Sequence, residues 1–254
     1  MRHLLILICL CFVVMPRAHA EQILIAADRW CPFNCEPGPE LPGFMVEVAQ
    51  RVFAKQGYDV KYIEMNWSRA IQEARKGNVN AIMGGFKSDA PDFVYPEEEL
   101  AVLGNAFFVR KESDWTYEGL ESLKNVQLGA ILGYDYGDEL RGYIQESNAD
   151  SVTMLNGDYH SLSQGIKLLN KRRIDVIIEV EPVFWYTADQ LGLSDQFKFT
   201  GKMVQPEKAY IAFSPALKKS TQHADLLSDG IRKLRASGEL LTILAKYGLK
   251  DWKK

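Results

Sequence analysis

The sequence predicts an α/β protein of two lobes, each a mostly parallel sheet flanked by helices, with the second lobe inserted in the first. Three observations lead there. Strands and helices alternate in two separate series, a polar stretch near Arg110 to Tyr117 joins the series, and the chain crosses back near Val204 to Lys208. The length of 254 residues suits one or two domains, and an apolar content of 47% fills an ordinary core.

The first series opens with the apolar strand Gln22-Ile23-Leu24-Ile25-Ala26-Ala27, followed by a Pro- and Gly-rich loop from Asp28 to Pro42. Phe44, Met45, Val48, Ala49, Val52 and Phe53 recur at helical spacing, and Gly57 ends that helix. Tyr58 to Met65 alternates as a strand, and Trp67 to Arg75 is helical with Trp67, Ala70, Ile71 and Ala74 on one face. Ala81-Ile82-Met83 is a buried strand running into Gly84-Gly85, and Leu100 to Val109 is one long extended segment. The second series has strands at 126–132, 151–155 and 174–178 and helices at 138–145, 161–170 and 182–191. A strand at 208–213 and helices at 215–235 and 238–247, the last capped by Ser237, return to the first lobe. The expected division is 1–20 as a leader, 21–110 with 205–254 as the first lobe, and 111–204 as the second.

The leader follows from Arg2 and His3 ahead of an apolar run from Leu4 to Met15, then Pro16 and Ala18-His19-Ala20. That is the form of a cleaved secretory signal, and the run is shorter than the roughly 20 residues a bilayer span needs. Cys9 and Cys11 lack the small residues that precede a lipidated cysteine, so cleavage after Ala20 and no lipid anchor are expected. The expected compartment is the periplasm. The leader carries Arg2 and Arg17 and no acidic residue, so the remainder is more acidic than the overall net charge of −3. A chain of that charge does not attract nucleic acid through its overall field.

Beyond the leader the cysteines are Cys31 and Cys35, and in an oxidising space so close a pair forms a disulfide. A closed zinc site needs further ligands, and neither His160 nor His223 lies near the pair in sequence. No cofactor is called for. Glu97-Glu98-Glu99 is expected as a solvated face, and Asp89 and Asp92 as turn caps around Pro91.

Several patterns occur in order: Ala27-Asp28-Arg29-Trp30-Cys31-Pro32-Phe33, Pro42-Gly43-Phe44-Met45, Met65-Asn66-Trp67-Ser68-Arg69-Ala70, Gly77-Asn78-Val79-Asn80-Ala81, Gly84-Gly85-Phe86, Leu128-Gly129-Ala130-Ile131-Leu132-Gly133-Tyr134 and Arg173-Ile174-Asp175-Val176-Ile177-Ile178. In this order and spacing the chain resembles the periplasmic solute-binding proteins of the polar amino-acid transporter type, over its whole length beyond the leader. The resemblance implies a Venus-flytrap fold that closes on a small-molecule ligand for an ABC permease, and a monomer. It also implies a Thr-x-x-Arg carboxylate clamp after the third strand, yet Phe86 to Pro96 holds no arginine. The ammonium-binding Asp it implies falls on Val180, between Glu179 and Glu181.

The strand-end loops nominate the ligand-binding residues. Trp30 follows the first strand and Trp67 opens a helix, and either ring can cover a ligand or pack the core. Gly84 and Gly85, with Phe86 beside them, allow close backbone approach, and Lys87 can donate to a carboxylate. Tyr134, Asp135 and Tyr136 lie between Gly133 and Gly137 at a helix N-terminus, which either binds an anion or is capped by Asp135 itself. Glu181 is the acidic residue expected to reach the cleft. Two other functions compete: a sensory protein docking on a membrane receptor, and an enzyme such as a dehydratase on the same fold. No catalytic set is indicated, and binding without catalysis is the expectation.

Overall fold

The computed structural model describes residues 20–38, 40–147, 151–203 and 205–253. The expected leader lies outside the described residues apart from Ala20, as does Val204 at the return crossing. The first lobe begins with β1 (Glu21–Ala27), α1 (Phe44–Ala54), β2 (Tyr58–Glu64), α2 (Trp67–Arg75), β3 (Ala81–Gly85) and β4 (Ala101–Leu103). The second lobe holds β5 (Asn105–Arg110), β6 (Leu128–Ile131), α3 (Asp138–Glu146), β7 (Val152–Leu155), α4 (Ser161–Asn170), β8 (Val176–Val180), α5 (Glu181–Gln190) and β9 (Phe197–Lys202). The chain then returns as β10 (Glu207–Phe213), α6 (Ser220–Ala236) and α7 (Glu239–Lys246).

Each lobe has a five-stranded sheet, ordered β2-β1-β3-β10-β4 in the first and β7-β6-β8-β5-β9 in the second. β1 runs parallel to β2 and β3, and β6 parallel to β7 and β8, while β10 and β5 enter antiparallel. This is a two-lobed α/β fold, and the parallel strands direct their carboxyl ends toward the cleft between the lobes.

The long extended segment expected at 100–109 is two strands in two sheets. β4 pairs with β10, whereas β5 pairs with β8 and β9, so the chain has already changed lobe at Gly104. The boundary expected at Arg110 is therefore corrected. The reason is burial on both faces: Phe107 packs into the core on one side of the second sheet and Phe108 into the core on the other. Phe108 stacks on Phe184 with ring centroids 3.8 Å apart. The strand β9 went unpredicted because its alternation is weak, with Phe197 alone buried. The acidic tract is corrected too. Glu97 is exposed, but Glu98 is half-buried and Glu99 buried against Arg235, Lys253, Lys208 and the Trp252 indole, and they tie the C-terminal segment to the first lobe. Among the described residues no helix is long and apolar enough to cross a membrane.

The loop after β1 carries Trp30 and is held at several points. Cys31 and Cys35 are disulfide-bonded with their Cα atoms 4.6 Å apart. Trp30 and Asn34 form a bridge, the Cys35 N–H donates to the Pro42 carbonyl at 2.7 Å, and the Phe44 N–H to Pro32 at 3.1 Å. Gly43 has φ 107°, and a Cβ there would lie 2.4 Å from the Phe33 carbonyl oxygen, so the loop closes on α1 only through glycine. The disulfide closes a short loop already fixed by these bonds. Reduction should lower unfolding free energy by less than about 2 kcal/mol, measured by urea unfolding with and without reductant; a larger loss contradicts this account.

Candidate functional site

The carboxyl ends of β1, β3, β6 and β8 converge on a cavity lined by Asp28, Trp30, Trp67, Met83, Gly84, Phe86, Asp89, Asn105, Tyr134, Asp135, Glu179 and Val180. This cleft, a slot between the lobes, holds about 410 Å³ of space between its lining atoms. Two side-chain bonds cross it. The Tyr134 hydroxyl donates to Asp28 Oδ2 at 2.5 Å, and the Trp30 indole N–H donates to Glu179 Oε1 at 3.1 Å. The Asn66 amide also reaches the Gly157 carbonyl at 3.0 Å. A Cβ on Gly133 would lie 2.4 Å from Ser68 Oγ, so the two lobes meet there backbone to side chain.

Four carboxyl groups line the slot. Asp28 is 6% exposed and Glu179 2% exposed. Burial pushes Asp28 up to about 6, against the Tyr134 hydrogen bond. Burial likewise raises Glu179 to about 7, against the Val180 N–H and Trp30 bonds, with Asp28 adding to the rise. Burial raises Asp89 to about 7 and Asp135 adds to it, while the Phe86 N–H and the Trp67 indole oppose. Burial pushes Asp135 up as well, but Arg141 at 2.7 Å and the Gly137 N–H at 2.9 Å outweigh it and hold it below the usual carboxylate range.

The expected residues divide. Trp30, Trp67, Gly84, Phe86, Tyr134 and Asp135 line the slot. Gly84 has φ 85°, and a Cβ there would stand 3.2 Å from the Trp30 ring, so its bare backbone lets the indole lie flat against the strand end. Gly85 faces away, packed between Ile82 and the edge of Trp67. Lys87 points outward, its ammonium 5.7 Å from the Tyr95 ring and 5.5 Å from the Tyr210 ring. Tyr136 is buried in the second lobe, where its hydroxyl accepts the Ile131 N–H at 2.8 Å and shapes the turn. Glu181 is exposed at the start of α5 and lines a groove behind the cleft with Phe33 and Trp252. Glu179, two residues earlier and still on β8, is the glutamate in the slot.

Asp28 and Asp89 were not among the expected ligand-binding residues. Asp89 does cap its turn, accepting the Phe86 N–H at 2.8 Å, and the same carboxyl faces the slot. Asp28 follows the last residue of β1, and that position could have identified it.

Asp28, Glu179 and Asp89 all have folded pKa values above those of the unfolded chain. The folded state therefore binds more protons between about pH 4 and 7, and stability from these groups falls as pH rises through that window. His223, whose pKa burial lowers, acts in the opposite sense. The readout is the difference in slope. Between pH 5 and 8 the melting temperature of Glu179→Gln should fall less, or rise more, than that of the parent protein without added solute. Equal slopes contradict this assignment.

The family model for bacterial extracellular solute-binding proteins, family 3, matches residues 23–250. The arginine-binding extracellular protein ArtP of Bacillus subtilis (strain 168) is 22% identical over 240 residues, covering 89% of this chain and 86% of that protein. A chain from the structure of glutathione import via GshT and the cystine ABC importer TcyBC of Streptococcus mutans superposes with a TM-score of 0.73. It is 21% identical, and the match covers 92% of this chain and 98% of that one. A histidine kinase sensor domain with similarity to periplasmic binding proteins gives a TM-score of 0.72 at 18% identity, covering 91% and 97%. These two likenesses show the shared fold. With the family model spanning nearly all of the described chain, the protein belongs to the bacterial extracellular solute-binding proteins, family 3.

Proposed function

We propose that this solute-binding protein is exported to the periplasm, closes around a small polar, amino-acid-like solute, and presents the closed form to an ABC importer. The observation that carries the reading is the pair of bonds across the slot, Tyr134 to Asp28 and Trp30 to Glu179. They join side chains 106 and 149 residues apart in sequence and on opposite lobes. Such bonds make and break together when lobes hinge, so anything held between them biases the closed form. The solute is bound and released without chemical change.

A membrane receptor could read the same closure, and the sensor-domain likeness extends to the fold alone. Uptake separates the two. In cells lacking the gene, uptake of the solute that closes the protein should fall to background, and the purified protein should return that solute unchanged. Normal uptake together with a lost signalling response contradicts delivery to an importer.

A further inference from the structure

The slot holds acid at every pole and no base. Asp28, Glu179, Asp89 and Asp135 line it, and no Lys, Arg or His does. Arg29 and His160 line a neighbouring cavity that shares Trp30, Tyr134 and Glu179 with the slot, and the arginines and lysine nearby have partners of their own. Arg29 binds Glu64 at 2.9 Å and Glu36 at 3.5 Å, Arg141 binds Asp135 and Asp138, and Lys87 lies over two tyrosine rings outside the slot.

The backbone donors at these strand ends are committed as well. The Phe86 N–H goes to Asp89, the Gly137 N–H at the start of α3 to Asp135, and the Val180 N–H to Glu179 at 2.7 Å. Each is a place where a ligand anion would find a donor, and each is filled by the protein's own carboxylate. An incoming carboxylate would meet like charge and no free donor at these three positions. A cation would meet carboxyl oxygens, with the faces of Trp30, Trp67, Phe86 and Tyr134 to cover its carbon skeleton.

The carboxyls fall into two pairs that interact, Asp28 with Glu179 and Asp89 with Asp135. They do not gather as a metal needs: among the described residues no three His, Cys, Asp or Glu side chains form a candidate metal cluster. The arrangement suits a charge spread along a carbon chain better than a bare ion.

We infer that the solute is an organic cation without a carboxylate, an amine or guanidine compound, held between Asp28–Glu179 and Asp89–Asp135 and covered by the aromatic rings. The inference rests on the binding-protein reading above and narrows the solute class of that same cleft. Discrimination against amino acids comes from repulsion as much as from fit, since the slot sets four carboxyls and no cation against their carboxylate.

The test is calorimetric titration of the whole exported protein with solute pairs that differ by one carboxylate: lysine and cadaverine, ornithine and putrescine, arginine and agmatine, tyrosine and tyramine. In at least one pair the amine should bind more tightly than its amino acid by about tenfold or more. Glu179→Gln and Asp89→Asn should each weaken that amine by about tenfold or more, with the circular dichroism spectrum unchanged. An amino acid that binds as tightly as its amine overturns the inference. A neutral or anionic solute that binds and draws the lobes together in small-angle scattering overturns it too, and leaves the binding-protein reading standing. If no compound of a broad solute library binds or closes the lobes, both fall.

Discussion

The closed cleft depends on burying carboxyl groups without a counter-cation. Asp28 and Glu179 stand on opposite lobes, nearly out of solvent, and each is bonded by an aromatic side chain of the other lobe. A hydroxyl and an indole N–H stabilise a carboxylate but do not neutralise it. The desolvation of the charged form therefore dominates, and both groups hold their protons more tightly than in water. Closure is thereby coupled to charge. The lobes meet comfortably when the carboxyls are protonated or when a cation lies among them, and less comfortably otherwise.

The scaffold makes this arrangement rigid. The parallel strands bring Asp28, Gly84, Tyr134 and Glu179 to the same edge of the molecule from four strand ends. The disulfide-bonded loop and Gly43 fix Trp30, and Gly84 lets its ring lie against the strand. In the second lobe Tyr136 pins the turn to Ile131, so Tyr134 projects outward across the slot. Gly133 removes the one side chain that would collide with Ser68 as the lobes meet. The hydrophobic cores on either side of each sheet supply stability, and the residues at the strand ends are free to serve the cleft.

Much of this was legible in the sequence because it is local. Helical spacing marked α1, α2 and α4 almost to the residue, and the glycines at strand ends marked the loops that face the cleft. Trp30, Trp67, Tyr134 and Asp135 could be nominated from position alone. What failed was the end of a strand. β8 runs to Val180, two residues past its expected end, so Glu179 is still on the strand and faces the slot while Glu181 opens a helix on the outside. Residues two apart share a strand face, so alternation could not tell these two glutamates apart. Glu98 and Glu99 read as a solvated tract because their partners Arg235, Trp252 and Lys253 lie more than 130 residues away. The segment at 100–109 read as one strand because apolar residues flank Gly104-Asn105 closely on both sides, and the pairing shows that Gly104 separates two sheets.

The central claim is that closure requires the buried carboxyls to be neutralised by protons or by a cation. The most direct test is the distance between the lobes, measured by paired spin labels on Arg69→Cys and Gln164→Cys, exposed positions on α2 and α4. Without added solute the closed population should be larger at pH 5 than at pH 8, and a bound organic cation should restore it at pH 8. A distance distribution that changes with neither pH nor any organic cation would contradict the account.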